Sequence, residues 1–459
     1  MADEKSEKKK LYDKVSAAPL WTVVQRMRSL GFWPAGTGLP EDPWAESTER
    51  AHLVAERQKL LSSAVVDAAA ALAAERKRRI EESRKKRAQK KTERDKAAEQ
   101  ARQVWARQRA KGVVFSGVGV SAGLQDVKSN QDKLLARGLP VVHDAADLAR
   151  ALSLSLPELR FLTFHRRGAA TVHYHRYDIA KKTGGTRAIS APKPKLAAAQ
   201  RWVFDSILLK LPVEPEANGF VAGKSIVSNA APHVQKAVVF NLDLKDFFPT
   251  VGFRRVKGLF MQLGYSENVA TLLSLLCTEP PRVPVDIDDK RVWIALGERH
   301  LPQGACTSPS ITNLLCRRLD RRLAGLARRH RFSYTRYADD LTFSGDNRAA
   351  VGRLMRSVRA VIAAEGFFEN DKKTRVMGRG RRQEVTGVVV NQRPAVARDE
   401  VRKLRAVLHN AARHGLSSQN RTQHPDFAAH LQGRVAFIEM VDPPRGARLR
   451  VLLQRALKA

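Results

Sequence analysis

Tyr337-Ala338-Asp339-Asp340 lies between Phe332-Ser333-Tyr334-Thr335-Arg336 and Leu341-Thr342-Phe343-Ser344-Gly345. Both flanks are rich in β-branched and aromatic residues, as strands are. The aspartates interrupt them. The stretch therefore reads as strand, tight turn, strand, with two carboxylates at the tip. Adjacent carboxylates repel each other, and a bound cation relieves the repulsion. An exposed Asp-Asp turn without an ion has the same local sequence, so the pair alone identifies no site.

A third carboxylate changes the reading. Val238-Val239-Phe240-Asn241-Leu242-Asp243 is a largely apolar strand that ends in Asp, and Pro249 bars its continuation as a central strand. An apolar strand ending in Asp, followed later by a hairpin carrying Asp-Asp, offers what two-metal phosphoryl transfer needs. Mg²⁺ prefers oxygen ligands and takes few protein carboxylates beside water and substrate phosphates. One ion would activate the attacking hydroxyl, and the other would hold the triphosphate and leaving group.

Other stretches fall in order around these. Asn229-Ala230-Ala231-Pro232-His233 precedes the first strand. Leu301-Pro302-Gln303-Gly304, with Thr307-Ser308-Pro309 and Asn313, precedes the hairpin, and Val385-Thr386-Gly387 follows it. In this order and spacing the chain resembles the reverse transcriptases over roughly residues 160 to 459. Among them it resembles the bacterial retron type, and the myxobacterial group with a long N-terminal extension. The resemblance implies an α+β right-hand polymerase of fingers, palm and thumb, behind a helical N-terminal extension. It implies RNA-directed synthesis of DNA from dNTPs. Part of a structured noncoding RNA would be copied from one of that RNA's own 2′-OH groups into a branched RNA–DNA product (msDNA). It also implies anti-phage defence with a separate effector protein. Two rivals stand beside this reading: another prokaryotic reverse transcriptase, of group II intron or diversity-generating type, and an RNA-binding scaffold with a decayed polymerase fold. The Asn-Ala-x-x-His pattern at 229–233 and Val385-Thr386-Gly387 weigh against the first rival. The intact Asp243, Asp339 and Asp340 weigh against a scaffold.

By the same resemblance, Asp243, Asp339 and Asp340 hold two Mg²⁺ ions, with Asp243 and Asp339 as direct ligands. Lys181, or Lys182 in its place, and Arg187 contact the incoming triphosphate, to which Asp246 offers its backbone N–H. Phe248 packs under the sugar and excludes a ribose 2′-OH, whereas Phe247 is read as a core aromatic. Gln303 touches sugar or template. Lys373, or alternatively Lys372, lies near the leaving phosphate. Asn229, His233, Val385, Thr386, Gly387, Arg402 and Arg405 are assigned to RNA. His233, four residues from Asn229, has no second His or Cys at metal-ligand spacing, and its plain reading is a satisfied structural histidine. Cys306 stands where the family commonly has proline.

Charge supports a polyanionic partner. The 459 residues carry a formal net charge of +36, beyond what solubility requires. A membrane surface is the rival polyanion, but no apolar run reaches the roughly 18 residues of a spanning helix. No apolar stretch follows Met1-Ala2-Asp3-Glu4, so no signal peptide is read. The three cysteines, Cys277, Cys306 and Cys316, form neither a disulfide framework nor a zinc site. These features place the protein in a reduced, cytoplasmic compartment.

The expected organisation is a basic helical extension at 1–125, helices and fingers at 126–240, palm at 241–394 and thumb at 395–459. Within residues 11–44, Leu20, Trp21, Val24, Met27, Leu30, Phe32, Trp33 and Trp44 read as a packed cluster, with stacking on RNA bases as the alternative. Asp42-Pro43 is a helix start, and no Gly or Pro then appears before Gly112. The run Arg76-Lys77-Arg78-Arg79 to Lys90-Lys91 is either a solvated face or an arm that tracks phosphates. The Gly-rich stretch 115–124 reads as a linker or turn. Asp144 and Pro157 mark helix starts, and Gly184-Gly185 is the tip of a hairpin. Residues 398–414 read as a thumb helix burying Val401, Leu404, Leu408 and Ala411, followed by a second helix over 431–441.

Overall fold

The computed structural model describes residues 10, 20–32, 34, 36, 42–62, 68–180 and 184–458. Contacts divide the chain into two units, residues 1–103 and 104–459. The first holds helices α1 (Leu20–Ser29), α2 (Asp42–Ser62) and most of α3 (Ala68–Lys111). Helix α2 begins at the Asp-Pro signal, and α3 stops one residue before Gly112. Met27, Leu30 and Phe32 are exposed, so the expected packed cluster does not form among the described residues. A helix as short as α1 buries an apolar side only when another element covers it. The side chains of Trp21, Trp33 and Trp44 lie outside the described residues.

Helix α3 is exposed along its basic stretch and is laced by local pairs such as Glu75 with Arg78 and Arg79 at 3.2 Å. If the stretch contacts RNA, neutralising Arg84, Lys85, Lys86 and Arg87 weakens RNA binding. It also flattens the plot of log affinity against log salt by about 0.7 to 0.9 per lost phosphate contact. An unchanged slope would mark a solvated helix.

The second unit starts earlier than the sequence suggests, because residues 113–125 pack within it. Val113 and Leu124 are core residues. The Gly-rich stretch is docked and is no free linker: His165 N donates to Ser116 O at 2.7 Å. A Cβ on Gly117 would lie 2.2 Å from the His165 carbonyl oxygen, so only glycine fits there. Helices α4 (Gln131–Leu135), α5 (Ala145–Ala151) and α6 (Leu156–Thr163) follow. Asp144 caps α5, and a Ser155/Glu158 capping box with Pro157 starts α6.

The fingers hairpin is β2 (Tyr174–Ala180) paired with β3 (Thr186–Pro192), preceded by the short β1 (Gly168–Ala169) and followed by α7 (Pro194–Ser206). After α8 (Ile226–Ala230) and a 3₁₀ turn at Ala231–His233 comes β4 (Val238–Asp243). Helices α9 (Phe253–Leu263) and α10 (Glu267–Cys277) pack on each other. Strands β5 (Arg282–Ile287) and β6 (Lys290–Ala295) make a second sheet with β1. Helices α11 (Thr307–Leu315) and α12 (Arg317–Arg329) lead to β7 (Phe332–Tyr337) and β8 (Asp340–Gly345). After helix α13 (Val351–Ala364), β9 (Arg375–Gly378) completes an antiparallel palm sheet of order β7-β8-β4-β9.

Strand β4 organises the packing through its two-residue period. Val238, Phe240 and Leu242 enter the main core, where Phe240 stacks on Phe343 at 4.9 Å. Val239 points the other way, into a second core built from the thumb. That core takes Val385 and Val388 from the short hairpin β10 (Glu384–Val385) and β11 (Val388–Val389), and Leu404 and Leu408 from α14 (Arg398–His414). Helices α15 (Phe427–Val441) and α16 (Pro443–Lys458) close it, the last beyond what the sequence reading anticipated. No helix among the described residues is long and apolar enough to cross a membrane.

Candidate active site

The hairpin predicted at residues 332–345 is present, and its turn is a two-residue loop. Tyr337 pairs with Asp340, leaving Ala338 and Asp339 at the tip. Ala338 adopts φ +56°, a left-handed conformation that costs a non-glycine residue on the order of 1 kcal/mol. Three contacts hold it there. Leu244 N donates to Asp339 O at 3.0 Å. Arg336 Nη1 donates to Ala338 O at 3.2 Å. The loop before α8 presses on the turn so closely that a Cβ on Gly219 would lie 2.5 Å from Ala338 N.

Pairing of β4 with β8 puts Asp243 in register with Asp340. One sheet thus brings Asp243, Asp339 and Asp340 to the same end. Asp243 is buried, and its carboxylate accepts from Lys373 Nζ at 2.8 Å and Asn370 Nδ2 at 3.1 Å. Burial, and then the neighbouring carboxylates, push Asp340 up to about 7 and raise Asp339 as well. Lys373 is held above its usual range by its bond to Asp243. Of the two lysines left open by the sequence, Lys373 is the one seated on the carboxylates.

Among the described residues, no three His, Cys, Asp or Glu side chains are already arranged as a metal site. The donor type nevertheless suits a hard divalent cation. The groups are oxygen ligands whose mutual repulsion a cation would offset, and Lys373 supplies positive charge at Asp243 in its absence.

Arg187 is the second residue of β3, opposite Ile179, and its charge acts on Asp339. Lys181 and its alternative Lys182 lie outside the described residues. Ser190 N donates to Gln303 O at 2.7 Å, which ties β3 to the Leu-Pro-Gln-Gly loop. Gly304 is required in that loop: at φ +117°, a Cβ would sit 2.9 Å from Ile189 Cγ2 and Ser190 O. Cys306 has φ −64°, the value a proline ring imposes, so the departure from proline leaves the local path unchanged. Asp246 is exposed and takes φ +47°. Phe247 is buried against Phe367, with ring centroids 5.6 Å apart, whereas Phe248 is only half-buried. Phe248→Ala should therefore open space and raise ribonucleotide incorporation relative to deoxynucleotide. An unchanged ratio in primer extension with each nucleotide would place the gate elsewhere.

The expected RNA contacts separate into two groups. His233, Asn229 and Val385 are buried, which corrects their assignment as direct contacts. His233 shares hydrogen bonds with Ser344 Oγ at 2.7 Å and Thr335 Oγ1 at 2.8 Å. Burial pushes its pKa down to about 3, and the ring stays neutral. It cross-links β7 and β8, the two strands of the Asp-Asp hairpin. Asn229 Nδ2 donates to Thr386 Oγ1 at 3.3 Å, so the Asn-Ala-x-x-His and Val-Thr-Gly stretches meet behind the sheet. Gly387, Arg402 and Arg405 are exposed, and Thr386 is half-buried.

The sequence reading missed the brace under the turn. Arg336 and Asp320 are fully buried and bonded through two contacts, at 2.8 and 2.7 Å. Arg336 also donates to Asn313 Oδ1 at 2.9 Å, and Asn313 Nδ2 donates to Gly219 O at 2.9 Å. Tyr334 OH donates to Asp320 Oδ1 at 2.9 Å. The signal was an arginine on a strand that alternation predicts to be buried, with an aspartate on the apolar face of the preceding helix.

A family profile for reverse transcriptase (RNA-dependent DNA polymerase) matches residues 179–403. The retron Mx162 reverse transcriptase of Myxococcus xanthus is 45% identical over 377 residues, covering 77% of this chain and 76% of that protein. The retron Mx65 reverse transcriptase of the same organism is 45% identical over 326 residues, covering 71% and 75%. The retron Ec86 reverse transcriptase of Escherichia coli is 33% identical over 323 residues, covering 70% and 91%. With its carboxylates at one end of a palm sheet, and identity to these proteins over most of its length, the chain belongs to the retron reverse transcriptases and is an RNA-directed DNA polymerase.

Proposed function

We propose that this enzyme copies part of a structured noncoding RNA into single-stranded DNA, beginning from a 2′-OH of that RNA. The product is a branched RNA–DNA hybrid, msDNA. The observation that carries the reading is the register of Asp243 opposite Asp340, with Asp339 in the adjoining turn. That arrangement offers oxygen ligands where a primer end and a triphosphate must meet. Two Mg²⁺ ions held by Asp243, Asp339 and Asp340 would activate the primer hydroxyl and neutralise the leaving group. Lys373 holds Asp243 in place and would face the leaving phosphate. Arg187, with Lys181, grips the triphosphate tail from the fingers. Asp246 offers it a backbone N–H, Phe248 lies under the sugar, and Gln303 touches sugar or template. Exposed Arg402 and Arg405 on the thumb, with Thr386 and Gly387 nearby in sequence, are suited to the RNA backbone near the primer. The biological role is anti-phage defence in the cytoplasm together with a separate effector protein.

The test is synthesis by the purified enzyme on its own noncoding RNA with dNTPs and Mg²⁺. The expected product is DNA that stays attached to a short RNA remnant after ribonuclease treatment and is released by a 2′,5′-debranching enzyme. DNA released without debranching would exclude 2′-OH priming.

A further inference from the structure

A cavity of about 460 Å³ lies between α6, the start of β2 and the segment that follows α10. It shares no residue with the carboxylate site. Its lining contains five arginines, Arg109, Arg160, Arg166, Arg282 and Arg299, and a single carboxylate, Glu279. Glu279 is already bound by Arg176 Nη2 at 2.6 Å. The arginine charges are therefore not balanced by acids of the lining.

The inner guanidiniums donate mostly to neutral backbone carbonyls, which do not offset their charge. Arg282 Nη1 donates to Trp293 O at 2.8 Å and to Arg167 O at 3.2 Å. Arg299 Nη2 donates to Leu275 O at 2.7 Å. Arg160 Nη2 donates to Gly112 O at 3.0 Å, and its Nε is buried without a partner. Neutral carbonyls orient these forks and leave their positive charge in place. Burial, and then the charges of Arg299, Arg282 and Arg167, push His165 beside them down to about 4. Gathering like charges is unfavourable unless an anion compensates, and guanidinium forks match phosphate oxygens in geometry. At the rim, Phe161 is 55% exposed and Arg166 lies over the Phe164 ring at 4.9 Å. A phosphate pocket beside a partly exposed aromatic ring, which meets His173 edge-to-face at 4.8 Å, suits a nucleotide strand, with the phosphate held by arginine and a base against the ring.

We propose that this cavity binds a phosphate group of the nucleic-acid strand outside the polymerisation site, with a neighbouring base on Phe161. A free phosphate is the other source of the same chemistry.

The experiment uses the full-length chain and a short labelled single-stranded RNA, followed by fluorescence anisotropy across a salt series. Arg109→Gln with Arg166→Gln, two exposed positions, should weaken binding and flatten the log–log salt slope by about 0.7 per lost contact. Arg109→Lys with Arg166→Lys should keep most of the slope, because it keeps the charge. Arg353→Gln with Arg356→Gln, on exposed positions of α13, removes the same charge elsewhere and should leave the slope as in wild type. Equal losses from both glutamine pairs would show only general surface attraction and overturn the site. So would a wild-type slope in the first pair. Inorganic phosphate is the second probe, read by thermal shift. If it stabilises wild type but not the Arg109/Arg166 variant, while RNA binding is unchanged, the site serves a free anion and the nucleic-acid assignment fails.

Discussion

Replacing Asp339 with asparagine should lower primer extension by at least about a hundredfold, equivalent to roughly 3 kcal/mol of transition-state stabilisation. Asparagine keeps the shape of the side chain and removes its charge. The backbone of the turn is held by Leu244 N, by the Arg336 guanidinium and by the close approach of Gly219, none of which uses the Asp339 carboxylate. The fold of the tip should therefore survive. What is lost is one of three carboxylates gathered at this end of the sheet, one on which the charge of Asp243 acts. The measurement is single-nucleotide extension on a generic primed template at saturating dNTP, with RNA affinity measured in parallel. RNA affinity should stay within a factor of a few, since phosphate contacts elsewhere on this +36 chain dominate it. Extension at a rate close to wild type would remove Asp339 from the metal set.

The second large effect is expected at the brace. Arg336→Met should cost about 3 to 5 kcal/mol of stability, because it leaves Asp320 charged and buried without its partner. The carbonyl of Ala338 and Asn313 Oδ1 lose a donor at the same time. Arg336→Met combined with Asp320→Leu removes both charges and should recover much of the stability, as hydrophobic replacements of buried pairs often do. Activity should not recover with it, since the Ala338 carbonyl then loses the guanidinium that fixes it, which Leu244 and Gly219 do not replace. Denaturant unfolding and primer extension on the two variants separate the outcomes. If the double variant regains both stability and activity, the pair is a packing element and does not position the turn.

The hairpin at 332–345, the strand ending at Asp243 and the thumb helix at 398–414 could all be read from the chain itself. Their signals are local: alternation in a strand, a helical stripe, a Pro or Gly that stops an element. Charge is equally legible, and so was the need for a polyanion. The order of short stretches around the aspartates pointed to the family, because several weak patterns in fixed order and spacing are far more specific than any one of them.

What the sequence left open depends on long-range pairing. Asn229 in α8 and His233 in the 3₁₀ turn after it are four residues apart, and only the fold buries them, bonded to Thr386 and Thr335, 157 and 102 residues away. Lys372 and Lys373 differ by one position, and only the path of a 3₁₀ turn beside β4 seats Lys373 on Asp243. Phe247 and Phe248 are chemically the same; the turn after β4 directs one into the core and leaves the other half-exposed. Arg336 and Asp320 are found together because α12 packs on β7. Composition and periodicity determine which residues can form each element. Which side chains meet is decided by closure of the sheet, where a one-residue change of register would send Asp243 to the opposite face from Asp340.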